Sequence, residues 1–431
     1  MRVWYPMSKY FKYLWPIQVV ITWIVYLPLS LLHLIANILN RLYEAKADWS
    51  ITPKCRAQTH SMTPWSLDIL DDMAEAHWKR AASHLLRGEI YYAGSPFYED
   101  NLEVGKHSYG HLCYLHGLAL ACCFQYGECE EKKAMMKGTA KFVTQGGTMV
   151  RTPAHYPFNP PFSQDMVAGF LVGVAKVYTM KKWFFPENVK PLTEAIERYT
   201  NRYIKDGYCA AEDSGQLSPR CRHTPGINYN PWDGDKWYEK FHYTTGVGAA
   251  VSLSTLLVAA KFTKKWKYYL HFWFLKYICG YGLWALCPHI YLWRQSLPTF
   301  LQKSAKKLPN YPISNDYFNV MVAFHAVLAM HLVAPSWWTR LWISQLNTLY
   351  GDVYCNALME IVLKGEDMSV AAFKQLNSIS NMATCQEYFF IDGSFSGVGW
   401  PSSHPPKDGS PYYGNLGFML AMTLLDLDVD R

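Results

Sequence analysis

The chain has 431 residues, half of them hydrophobic and 16% aromatic, with a formal net charge of +7. That is ample for one large core or two ordinary ones, and it leaves aromatic side chains over for a groove or a membrane interface. Charged residues make up only 17%. The basic runs at 261–267 and 303–307 are short and come with no nucleic-acid module, so solvent or lipid is their expected neighbour and a nucleic-acid partner is not expected.

In chain order, the first feature is the uncharged stretch from Tyr13 to Asn40. It exceeds the roughly 20 residues needed to cross a hydrocarbon core. Tyr13 and Trp15 suit one interface, Arg41 and Tyr43 the other. It is too long for a signal peptide, and no small-residue cleavage site follows it. Residues 1–44 therefore read as a membrane anchor, spanning or lying in the interface, and 45–62 as a linker. Arg2, Lys9 and Lys12 nearly balance Arg41, Lys46, Lys54 and Arg56, so charge does not orient the segment.

From 63 to 431 the pattern is helix after helix. Thr63-Pro64 opens a helix to about Leu86, with Leu67, Leu70, Met73, Ala74 and Trp78 on one face. Helical periodicity recurs near 107–125, 129–143, 163–181, 187–206, 241–261, 264–286, 314–333, 336–363, 367–381 and 412–427. No sustained two-residue alternation predicts a large sheet. Four long connections, 88–106, 145–162, 207–240 and 382–411, are rich in Pro, Gly, aromatic and polar residues, as functional loops are. They alternate with short ones such as 182–186 and 364–366, an arrangement expected to gather the long connections at one face. The stretch Tyr268–Trp293 is apolar but carries Lys276 at its centre, and Gly280, Gly282 and Pro288 interrupt it. It reads as a buried or membrane-grazing hairpin, with Lys264, Lys265, Trp266 and Lys267 as an interfacial rim.

The eleven cysteines form no CxxC pair. Cys113, Cys122 and Cys123 read as small core residues, which favours a reducing compartment. Cys209 and Cys221 bracket a loop and would pair only in an oxidising one.

The organising stretch is Arg151–Tyr178. Pro153, Pro157, Pro160 and Pro161 bar regular structure from its first half. In its second half Ser163 reads as an N-cap and Asp165 as a first-turn acid. Met166, Phe170, Val174 and Val177 form an apolar stripe, and Gly169 and Gly173 leave room for a second helix.

The motif Ser163-Gln164-Asp165-Met166, followed by Gly169 and Gly173, is similar to the S-R-D-Q helix start of some uncharacterised bacterial members of the (α/α) toroid fold. Gln164 stands where that pattern has Arg, and Met166 where it has Gln. Asn315-Asp316-Tyr317-Phe318-Asn319 is a second echo. In layout the resemblance runs from 63 to 427, and it implies an all-α body, an (α/α) toroid of helix hairpins. This is the barrel of many glycoside hydrolases and polysaccharide lyases.

Such hydrolases work with two carboxylates. The candidates are Asp165 and Asp316 at helix starts and Glu387 in an aromatic setting that would raise its pKa. Asp392 stands close by in sequence, and Asp233 lies between Trp232 and Trp237, which are placed to flank a sugar ring. The plain alternative for each acid is a cap, a turn former or a salt-bridge partner. An eliminating enzyme would instead need a His or Tyr base and a partner for a uronate carboxylate, types supplied by His155, Tyr156, Arg151 and Asn159. His107, His111 and His116 lack a third metal ligand at diagnostic spacing and read as cap or core residues. No cofactor or metal is expected. No phosphate loop, GxSxG elbow or dinucleotide fingerprint occurs, so nucleotide chemistry and serine hydrolysis are disfavoured. The expected activity is cleavage of a glycan or glycolipid at a membrane. The alternatives are a scaffold that binds a glycan or lipid headgroup, and a membrane-surface enzyme with a lipid-linked substrate.

Overall fold

In the computed structural model the described residues are short runs between 16 and 39, then 67–87, 89–91, 112–151, 153, 163–211, 217–223, 227–229, 241–243, 246–286, 316–347, 354–368 and 412–425. Among them the fold is mostly helical. The helices are α1 (Leu67–Leu85), α2 (Leu112–Tyr126), α3 (Cys129–Ala140), α4 (Gln164–Met180), α5 (Pro186–Lys205), α6 (Gly246–Thr263), α7 (Trp266–Trp273), α8 (Asp316–Val333), α9 (Trp337–Asn347), α10 (Tyr354–Lys364) and α11 (Tyr412–Leu425). The strands form three antiparallel pairs: β1 (Leu86–Arg87) with β2 (Ile90–Tyr91), β3 (Cys209–Ala211) with β4 (Leu217–Arg222), and β5 (Ile227–Tyr229) with β6 (Phe241–Tyr243). The periodicity at 336–363 resolves into two helices, α9 and α10, and most of 367–381 lies outside the described residues.

Two kinds of helix alternate along the chain. The described side chains of α2, α4, α6, α8 and α11 are overwhelmingly apolar and buried on every side, the pattern of helices enclosed by other helices. Between them come helices with one buried stripe, of which α1 and α5 are amphipathic. Leu70, Ala74 and Trp78 form it on α1; Val189, Leu192, Ile196, Tyr199 and Tyr203 form it on α5. Helix α4 packs against α2, α6 and α8, and α11 closes against α1 and α2.

Glycine sets the closest approach. A Cβ on Gly169 would meet Tyr114 Cδ2 at 2.3 Å, one on Gly173 the Gly117 carbonyl oxygen at 2.4 Å, and one on Gly117 the Gly169 carbonyl oxygen at 2.2 Å. Any larger residue would force the α2 and α4 backbones apart, as the spacing of Gly169 and Gly173 predicts. The same contacts give direction. Tyr114 faces Gly169, Gly117 faces Gly173, and Lys176 Nζ reaches Gln125 Oε1 at 3.4 Å, so α2 and α4 run parallel. Lys181, just past α4, has its Nζ 5.5 Å from the ring of Phe262 at the end of α6, so α6 runs the same way.

These three parallel helices leave by short turns, at 127–128, 181–185 and 264–265. They are entered by the long connections 92–111, 141–163 and 206–245. Long connections therefore meet one end of the bundle, and short turns mark the other.

Helix α6 is, among the described residues, the one long and apolar enough to cross a membrane; its residues are 89% buried in the protein. The described positions between 16 and 39 are helical. Val20, Ile24, Leu32, Ile35 and Leu39 are each more than half exposed.

Candidate functional site

At the start of α4, Ser163 has the extended backbone of an N-cap (φ −126°, ψ 161°), but its side chain makes no capping hydrogen bond. The hydroxyl instead donates to Asp165 Oδ1 and accepts from Arg151 Nη2 at 2.9 Å. This corrects the simple cap expected of Ser163. The serine joins a guanidinium to a carboxylate across the proline-rich loop. All three side chains are buried, Asp165 to 2% exposure. A carboxylate so enclosed needs compensation, and here it has the serine hydroxyl, the nearby guanidinium and the positive end of α4.

Helix α2 closes the cluster from the side. The Cys113 backbone N–H donates to the Arg151 carbonyl at 3.1 Å, and its thiol lies 3.8 Å from the Met166 carbonyl oxygen. Burial first, then the charge of Asp165, push the Cys113 thiol well up, while Arg151 opposes this. Cys113 is therefore a neutral thiol and no nucleophile. At the next residue of α2, the Tyr114 hydroxyl meets His325 Nδ1 and Met321 Sδ, each at 3.0 Å. Burial lowers the His325 pKa to about 3, so the imidazole is neutral.

Of the residues singled out from sequence, Arg151 and Asp165 are thus brought together. Asp316 is the first residue of α8; its side chain lies outside the described residues. So do His155, Tyr156, Asn159, Trp232, Asp233, Trp237, Glu387 and Asp392. Sequence reasoning did not pick out Ser163 as a bridge, nor Cys113, Tyr114 and His325 as its neighbours. The available signal was weak: a Tyr and a His inside helices apolar on every side must find partners there. His116 is a core residue, its Nε2 3.4 Å from the Met135 carbonyl oxygen and its ring 5.1 Å from that of Phe142.

A second polar network secures the 206–245 connection. Tyr203 Oη contacts His223 Nδ1 at 2.9 Å and Ser252 Oγ at 2.8 Å, and Tyr281 donates to the His223 carbonyl. The Cys209 thiol is directed at the Ser218 carbonyl, and the register partner of Cys209 across β3–β4 is Arg222. Cys122 and Cys123 are buried thiols, and burial pushes the Cys122 thiol up to about 12. Among the described residues no group of three or more His, Cys, Asp or Glu is placed to hold a metal ion. No protein-family model, curated protein or solved structure matches the chain.

Proposed function

We propose that this protein is a membrane-attached glycan-active enzyme on an (α/α) toroid, with Asp165 as one of its acid–base carboxylates. The carrying observation is the position of the Arg151–Ser163–Asp165 cluster. It is a buried, charged group at the end where long connections enter the parallel helices α2, α4 and α6. Alternation of enclosed and amphipathic helices supports the toroid reading, with α2, α4, α6, α8 and α11 as the inner set. In that reading the other carboxylate comes from Asp316 or Glu387. Trp232, Trp237, Asp233 and Asp392 bind the sugar, and Arg151 is the positioning residue that holds Asp165. The elimination variant uses His155 or Tyr156 as base, with Arg151 or Asn159 neutralising the uronate carboxylate. Membrane attachment rests on the uncharged, outward-facing apolar residues of the 16–39 segment.

The test is turnover by the full chain in lipid, on oligosaccharides, uronate-containing polysaccharides and glycolipids. New reducing ends without a new ultraviolet band mean hydrolysis; the band of an unsaturated sugar means elimination. Asp165→Asn should lower the rate by roughly 10²–10⁴-fold, the range for loss of an acid–base group. Binding without turnover would favour the scaffold, and an unimpaired, folded Asp165→Asn would remove Asp165 from the mechanism.

A further inference from the structure

Helix α7 and the π-helical turn that continues it to Ile278 are apolar on both faces. Tyr268, Phe272, Leu275 and Cys279 recur at intervals of four, three and four and are buried against the body. Trp266, Leu270, Trp273 and Tyr277 recur at the same intervals on the opposite face, with exposures of 71, 47, 51 and 56%. An amphipathic helix on a water-facing surface would carry polar residues there. This one carries a ladder of large apolar side chains.

The single charge near its C-terminal end, Lys276, does not break the ladder. Lys276 Nζ sits 3.9 Å from the centre of the Trp338 ring and 5.0 Å from that of Tyr277, so ring faces hold the ammonium at the edge of the stripe. The other charges gather at the N-terminal end, where Lys264, Lys265 and Lys267 are exposed. Glu197 pairs with Lys265, and Lys267 Nζ reaches Asn201 Oδ1 at 2.8 Å.

The stripe is also continuous with the N-terminal segment. The chain breaks from the helix at Gly280, which has φ +74°, leaving the last carbonyls of the turn without helical partners. The Trp23 indole N–H donates to one of them, Ile278 O, at 3.1 Å. The outward apolar residues of 16–39 and of α7 therefore meet at one point.

We infer that the outward face of α7 is a second membrane contact. It lies in the headgroup–acyl boundary of an anionic bilayer, with the lysine cluster at the headgroups and Trp273, Tyr277 and Ile278 toward the acyl chains. This rests on the membrane reading above and gives it a consequence: the catalytic body lies against the lipid surface instead of swinging from a tether. Aromatic and aliphatic residues on one helix face with lysines at its border are the chemistry of interfacial helices, and anionic headgroups complement the lysines.

The experiment uses the full chain in vesicles of phosphatidylcholine and phosphatidylglycerol that contain a phosphatidylcholine photoactivatable in its acyl chain, with adducts mapped by peptide. Adducts are expected on both 13–40 and 266–278. The exposed double variant Leu270→Asp, Trp273→Asp should keep its circular dichroism and its 13–40 adducts while the 266–278 adducts fall at least tenfold. Labelling of 13–40 alone overturns the α7 contact and leaves the anchor standing. Labelling of neither overturns both, and 266–278 labelling unchanged in the variant assigns it to something other than this face. A dimer in detergent that the double variant converts to monomer, with no adducts on 266–278, would make the face a contact between copies and overturn the lipid assignment.

Discussion

A single methyl group separates tolerated from disruptive change at the glycines between α2 and α4. Gly117→Ala and Gly169→Ala each place a Cβ within 2.6 Å of backbone atoms of the facing helix, and backbone cannot turn aside as a side chain can. Each should destabilise the body by about 1–3 kcal/mol, the range for overpacking. Gly146→Ala is the control: its nearest neighbour would be Thr144 Oγ1 at 3.8 Å, and a change within about 0.5 kcal/mol is expected. Urea midpoints of the three variants decide this. Ser163→Ala takes one hydrogen bond each from Arg151 and Asp165 and should cost about 1–3 kcal/mol, more than an exposed cap serine would. His325 supplies a pH dependence. Its folded pKa lies below its ordinary value of 6.5, at about 3, so the unfolded chain binds its proton more readily. Its contribution is complete above about pH 6.5 and is lost as pH falls toward 3, at up to ~1.4 kcal/mol per pH unit. Between about pH 7 and pH 5 the unfolding free energy should fall by about 2 kcal/mol more in the native protein than in His325→Asn. An equal fall in both would assign the acid sensitivity to other groups.

At the scale of elements, α6 and α7 separate apolar content from position. Helix α6 has the length and apolarity of a membrane span, yet the body encloses it, and its Ser252 meets Tyr203 in the 206–245 network. It is a core helix. Leu256→Ala, at a site with 0% exposure, should therefore lower the stability of the body by about 2–5 kcal/mol. The same substitution on a lipid-facing helix would leave denaturant unfolding of the body almost unchanged. Helix α7 is shorter and its periodicity is unremarkable, but on one of its apolar faces Trp266, Leu270, Trp273 and Tyr277 stay about half exposed or more. The difference lies in which neighbours reach each helix: α6 is flanked by α4, α5, α7 and α8, whereas α7, among the described residues, packs mainly against α6 and the turn that follows it.

For the whole molecule, exposed apolar residues in the uncharged N-terminal segment and an outward-facing α7 stripe predict that the full chain stays with the membrane fraction. If the 13–40 segment spans the bilayer, it also resists alkaline carbonate extraction. Release by carbonate would eliminate the span and leave peripheral attachment; soluble behaviour without detergent would eliminate the anchor. Retention in membranes would bring the proposed Asp165 site near a lipid surface, where glycolipids are at high local concentration.

The amino-acid sequence by itself determined the helical body, because a 3.6-residue apolar period leaves little choice of backbone in segments such as 163–181 and 187–206. It also determined the close glycine contact, since two glycines four apart on one helix present a groove to whatever packs there. It marked the start of α4 as unusual through Arg151, Ser163 and Asp165, but assigned the serine the wrong partner: a cap is a local rule, and the guanidinium that draws the hydroxyl away comes from twelve residues earlier. Only the tertiary structure decided that α2, α4 and α6 run parallel, that Tyr114 meets His325 across more than two hundred residues of chain, and that α6 is enclosed while α7 faces outward. Those outcomes depend on which surfaces meet. Hydrophobic burial is non-directional, so apolar residues can be buried by protein or by lipid, and periodicity alone does not say which.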